Sequence, residues 1–107
     1  MVVGFADKKF TIRMADTFGT RFRGLMGEEK LPEGEGLLLK GCSAIHCCFM
    51  KFPIDVIYLD AQNRVLAVET VKPWHAGMIR RGVKNILEVN RGEAEGIKAG
   101  DEMEMDL

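Results

Sequence analysis

The stretch Gly41–Asp60, GCSAIHCCFMKFPIDVIYLD, decides how the rest of the chain is read. It holds all three cysteines, one of the two histidines and the longest strand-like apolar run of the sequence. An extended backbone through Ile45–Phe52 puts His46, Cys48, Met50 and Phe52 on one face and Cys47, Phe49 and Lys51 on the other. Phe52-Pro53 interrupts pairing, because proline has no N–H to donate and restrains its predecessor. A strand resumes over Ile54–Leu59, apolar on both faces apart from Asp55, the pattern of a central strand covered on both sides. Asp60-Ala61-Gln62-Asn63 is a turn with Asn63 in the left-handed position, and Arg64–Val71 returns as the second arm of a hairpin.

The same alternation appears on both sides of this hairpin. Phe10, Ile12 and Met14 oppose Lys9, Thr11 and Arg13, which predicts a half-buried strand over Lys9–Ala15; Val2–Phe5 is a short candidate partner. Asp16 or Thr17 can cap a helix carrying Phe18, Phe22, Leu25 and Met26 on one stripe and ending at Gly27. Residues 28–36 read as a loop, and Leu37–Leu39 as a short buried strand. Lys72–Lys84 has no period and is expected to be a long functional loop. Asn85–Asn90 is a further strand, Gly92–Gly96 a helical turn, and Gly96–Asp101 a tight turn into a last strand, Glu102–Met105. Short strands, frequent turn signals and one helix predict a mainly β (α+β) fold. The expected form is a compact antiparallel β-barrel-like domain with one short helix and one or two helical turns.

At 107 residues, the chain is expected to form one domain, residues 1–107, around one core. The 47% hydrophobic content is that of a folded protein, and a net charge of −1 gives no global attraction to nucleic acid or anionic lipid. No apolar run reaches the roughly 18 residues that would span a bilayer, and MVVGFADKKF lacks the pattern of a signal peptide. An odd, clustered set of three cysteines favours reduced thiols over a disulfide framework. The expected location is therefore cytoplasmic, without a membrane partner.

The series RFRGLM (21–26), GLLL (36–39), C-x3-H through FMKFPIDVIYLD (42–60), VKPW (71–74), NILEVNRG (85–92) and GIKAGD (96–101) resembles the bacterial and archaeal family known as domain of unknown function 192. The resemblance runs from about Ala15 to the final strand. It implies a single small, mainly β domain with short helices and no established activity. The family pattern usually has threonine or an aromatic where Cys47 and Cys48 stand, whereas Cys42 and His46 match a common version of the motif.

Several chemistries are then weighed on the residues themselves. Cys42, His46 and Cys48, with His75 or Met50, could ligate zinc or copper(I). However, residues two apart on a strand sit about 6.5 Å apart, and paired C-x2-C knuckles are missing. No metal or cofactor is therefore expected. Cys42 four residues before His46 could be an activated thiol, although no third orienting residue is evident. Asp55 in an apolar strand requires a partner if buried, and Arg21 is the preferred one, with a structural pairing favoured. Trp74 and His75 upstream of Arg80, Arg81 and Lys84 could stack on a nucleic-acid base, but no wider basic stripe supports this.

The resulting expectation is a binding module for a small polar ligand or a peptide segment, monomeric or weakly oligomeric. Its pocket is expected beside Cys42, His46 and Asp55, near Arg21 and with Trp74 at the rim. The alternatives are a metal- or thiol-dependent enzyme using Cys42 and His46, and a protein or nucleic-acid interaction subunit acting through the Lys72–Lys84 loop.

Overall fold

The computed structural model describes residues 1–6, 8–15, 31–44 and 51–105. The expected helix over residues 16–27, and Arg21, His46, Cys47, Cys48 and Met50 with it, lie outside the described residues.

Seven strands form: β1 Val2–Phe5, β2 Lys8–Ala15, β3 Glu35–Lys40, β4 Ile54–Leu59, β5 Val65–Val71, β6 Asn85–Asn90 and β7 Glu104–Met105. They make one sheet in the order β5-β4-β6-β3-β2-β1-β7. The strands expected from alternation or an apolar run within the described residues are present, while the extended segment expected over Ile45–Phe52 lies mostly outside them. β4 is buried at every position between β5 and β6, as its two-faced apolar sequence requires. The β4–β5 turn is tied by Asp60, whose Oδ1 accepts from the N–H groups of Gln62 (2.8 Å) and Arg64 (2.9 Å). Asn63 takes φ +62° there, a left-handed conformation that asparagine tolerates well.

The sheet is mixed rather than wholly antiparallel, because β2 and β3 run parallel in the register Thr11↔Glu35 to Ala15↔Leu39. Residues 16–34 connect them, a span long enough for the crossover that parallel neighbours need. Gly92–Gly96, expected as a helical turn, is part of a run of turns. Its bonds link Glu93 N to Asn90 O, Glu95 N to Gly92 O and Ile97 N to Ala94 O.

The sheet curls until its ends are laced together. The segment before β7 bonds to the start of β5: Val65 N donates to Asp101 O (2.8 Å), Gly100 N to Val65 O (2.9 Å) and Met103 N to Asn63 O (2.9 Å). β7 itself pairs with β1 through Val3↔Met105 and Gly4↔Glu104. Two apolar clusters result, one on each face. All seven strands feed the concave cluster, which includes Val3, Phe5, Phe10, Ile12, Leu38, Ile57, Leu59, Val65, Leu87 and Val89. Phe5 and Phe10 meet there edge to face at 6.3 Å. The convex cluster is built on Leu37, Leu39, Ile54, Val56, Tyr58 and Ile86, with Leu31, Phe52, Met78 and Val83 packed over them from loops.

Candidate functional site

The pairing register locates the site candidates along the strands. Cys42 follows β3 just beyond the Lys40↔Asn85 pair, at the end of the sheet where β4 finishes at Leu59. Asp55 sits at the Val89 level, four positions along β6 from Asn85, hence about 13 Å away along the strand. Trp74 follows Val71, which pairs with Ile54, so it lies at the Asp55 end as well. Cys42 therefore stands apart from Asp55 and Trp74.

Asp55 is held within the chain. It is 6% exposed; Thr70 Oγ1 donates to its Oδ1 (2.7 Å), and Gly92 N (2.8 Å) and Ala94 N (3.2 Å) donate to its Oδ2. The expected need for a partner is real, and backbone N–H groups of the β6–β7 turns together with a threonine meet it. The carboxylate stitches those turns to the sheet.

At the other end, Lys40, Gly41, Cys42, Ser43, Ala61, Val83, Lys84 and Asn85 line a cavity of about 470 Å³. Gly41 turns the chain there at φ +73°, and its N–H donates to Asn85 Oδ1 at 3.0 Å. Asn85 Nδ2 in turn donates to Asn63 Oδ1 (3.3 Å), so this amide braces the rim. The Cys42 thiol donates to Ala44 O at 3.0 Å, and its side chain packs partly against the convex cluster. Two lysines and no acidic residue stand among these lining groups. Among the described residues, no three His, Cys, Asp or Glu side chains gather as a metal site. Among the described residues, no helix is long and apolar enough to cross a membrane.

A second polar group, on the convex face, was not singled out from the sequence. Leu37, Glu88, Val56 and Glu69 form one rung across β3, β6, β4 and β5. Since side chains alternate along a strand, the neighbours of Glu88, Leu87 and Val89 in the concave cluster, place its carboxyl on the opposite, convex side. Glu88 is 3% exposed, and its Oε1 has no hydrogen-bond partner among the described residues. Burial raises its pKa from the ordinary 4.5 to about 8, so it holds its proton at neutral pH. Glu69 on the same rung is half-buried; Tyr58 Oη (2.5 Å) and Met78 N (2.6 Å) both donate to its Oε2. A glutamate in the apolar run NILEVN was the available signal, since a charged residue in a buried strand is rare without a reason.

The Lys72–Lys84 loop carries the exposed aromatic. Trp74 is 63% exposed and adopts φ +67°, Ile79 is 90% exposed, and Arg80 and Arg81 are exposed beside it. His75 Nδ1 lies 2.9 Å from Pro73 O.

Fold, register and site together describe a small curled β-sheet module with polar groups at one end and on one face. The chain belongs to the domain of unknown function 192 family, described as Uncharacterized ACR, whose model matches residues 1–105. Its relatives include a UPF0127 protein of Pyrococcus furiosus, 33% identical over 105 residues that cover 90% of this chain and 87% of that protein. One from Pyrococcus horikoshii is 37% identical over 94 residues, 81% of this chain and 78% of that protein. The matched region spans 66% of a Thermococcus sibiricus relative and 52% of one from Thermococcus kodakarensis. Two crystal structures share the fold. A protein of unknown function from Novosphingobium aromaticivorans has a TM-score of 0.88 at 23% identity, covering 97% of this chain and 84% of its own. A proposed transcription regulator from Sinorhizobium meliloti has a TM-score of 0.82 at 20% identity, covering 96% and 91%.

Proposed function

We infer that this chain is a binding module that takes a small polar ligand in the cavity beside Cys42. The observation that carries the reading is the roughly 470 Å³ hollow at the strand ends, walled by backbone turns and by Lys40, Ser43 and Lys84. A concave site with a few convergent polar groups is the usual form of a ligand pocket. The two lysines favour a ligand bearing an anionic group. His46, four residues beyond Cys42, and Arg21 remain proposed contributors. Asp55 contributes to the fold rather than to this cavity, and Trp74 belongs to the opposite end.

Thermal unfolding in the presence of small carboxylates, phosphates and neutral polyols tests the reading. Ala61 is exposed at the cavity wall, so Ala61→Phe fills the hollow without disturbing the core. Compounds that raise the unfolding midpoint of the wild type are expected to lose at least tenfold in apparent affinity, about 1.4 kcal/mol, in Ala61→Phe. Equal stabilisation of both proteins, or of neither by any compound, would overturn the assignment.

A second reading, an interaction subunit acting through Lys72–Lys84, draws on the exposed Trp74 and Ile79 beside Arg80 and Arg81. Tryptophan and arginine are the residues most enriched at the centres of interfaces. Retention of a partner by the wild type and equally by a Trp74→Ala, Ile79→Glu double variant would count against this loop.

A further inference from the structure

The Lys72–Lys84 loop begins with a backbone anomaly. Its first turn is Lys72-Pro73-Trp74-His75, closed by the His75 N–H donating to Lys72 O at 3.1 Å. Trp74 holds the third position with φ +67°, where a tight turn with positive φ calls for glycine or asparagine. Among the described residues, the other non-glycine positions at positive φ are the small Ala6 and Asn63; for a bulky side chain such a φ is a genuine outlier. Burial does not offset the strain, since Trp74 is 63% exposed. Pro73 has its own φ fixed by its ring, and His75 Nδ1 lies 2.9 Å from Pro73 O, so the indole stands out on a braced support. Strain kept without a matching gain in packing points to a residue retained for contact with another molecule.

We propose that this loop binds single-stranded nucleic acid, with the Trp74 indole stacked on a base and the loop's cations against phosphates; this rests on the reading of Lys72–Lys84 as an interaction surface. Four of the chain's 15 lysines and arginines fall in it (Lys72, Arg80, Arg81 and Lys84), and none of its 16 acids does. All four are exposed. The far arm is pinned to the sheet: the Met78 N–H donates to Glu69 Oε2 (2.6 Å), Val83 is buried, and the Lys84 N–H donates to Leu59 O (2.8 Å). Arg80 and Arg81 are therefore displayed between fixed points. A ring for a base and cations for phosphates is the combination that single-strand sites use. The loop has 13 residues, against roughly 20–30 a side in a stable protein interface. Its exposed large apolar side chains are Trp74 and Ile79, little area for a lipid contact whose strength scales with buried apolar surface. The net charge of the chain is −1, so attraction is confined to the loop and the footprint is short.

Trp74 is the only tryptophan of the chain, so intrinsic fluorescence of the full protein reads the site directly. The probes are an oligothymidylate of about 12 nucleotides, long enough for one small site, the same strand paired in a duplex, and phosphatidylglycerol vesicles. Stacking is expected to quench the emission with the single strand and far less with the duplex, whose bases are not open to an indole. Affinity should fall roughly tenfold between about 50 and about 200 mM NaCl, the effect of releasing counterions from two or three phosphates. Arg80→Glu combined with Arg81→Glu should weaken binding and flatten that salt dependence. Trp74→Gly, followed by the anisotropy of a labelled strand, should lose binding while its unfolding midpoint does not fall, because glycine takes positive φ freely. Absence of quenching by the single strand, equal binding of strand and duplex, or full binding by Trp74→Gly overturns the proposal. So does a lowered midpoint in Trp74→Gly, which makes the indole a packing residue, or a blue shift with vesicles alone, which makes the loop a lipid contact. If oligothymidylate fails while the Trp74→Ala, Ile79→Glu variant loses a protein partner, this proposal falls and the loop keeps its role as an interaction surface.

Discussion

Glu88 makes the stability of the domain depend on pH in an unusual direction. Its carboxyl is raised from 4.5 to about 8 by burial, so the folded state keeps a proton that the unfolded chain has already released. Its contribution is fully present below about pH 4.5, declines as the pH climbs, and is spent once the pH passes about 8. The whole span corresponds to about 5 kcal/mol. Urea unfolding at a series of pH values should show stability falling across this window in the wild type and a much flatter profile in Glu88→Gln. Asp55 behaves as a different kind of buried acid, because its oxygens face donors. Asp55→Asn turns an NH2 group or a weaker acceptor toward the N–H groups of Gly92 and Ala94. A loss of about 2 kcal/mol follows from such a mismatch, with faster amide exchange at Gly92 and Ala94 as its local signature. The two acids also show where sequence reading succeeds. That Asp55 had to be partnered was legible from an acid in a strand apolar on both faces. Which groups partner it was not, because the Gly92 and Ala94 amides are nearly forty positions away and carry no side-chain signal.

At the scale of elements, the strands were legible because alternation and apolar runs are local properties, and the Asp60–Asn63 turn because its chemistry is written in four residues. The parallel pairing of β2 with β3 was not, since neighbours across a long crossover leave no mark on either strand. Nor was the separation of Cys42 from Asp55, which the β3–β6–β4 register decides. One element-level prediction comes from Gly36 on β3. A Cβ there would lie 3.0 Å from Glu88 O, 3.0 Å from Val89 Cγ1 and 3.2 Å from Leu87 Cδ1. Backbone on one side and two core side chains on the other cannot all give way. Gly36→Val is therefore expected to cost about 1–3 kcal/mol through overpacking, read as a lower thermal midpoint. Gly34, with nothing within 4 Å of its own Cβ direction but φ +76°, should suffer only the smaller strain of a left-handed backbone when changed to Ala.

For the whole molecule, the seam formed by residues 100–105 is the decisive feature. It joins the β5 end of the sheet to β1, and the Arg64–Glu102 ion pair on it, at 3.3 Å and well exposed, adds little of its own. The backbone bonds matter more, since without them β5 and β1 would both present unpaired edges. Removing residues 100–107 is expected to increase self-association, visible by sedimentation as a mass that rises more steeply with concentration than that of the full chain. The seam also sets the order of assembly. Its pairing of Val3 with Met105 and of Asn63 with Met103 joins stretches far apart along the chain. Such contacts form slowly because a long loop must first be closed. During synthesis the β4–β5 hairpin can fold early, but the curled sheet has to wait open until residues 100–105 have left the ribosome.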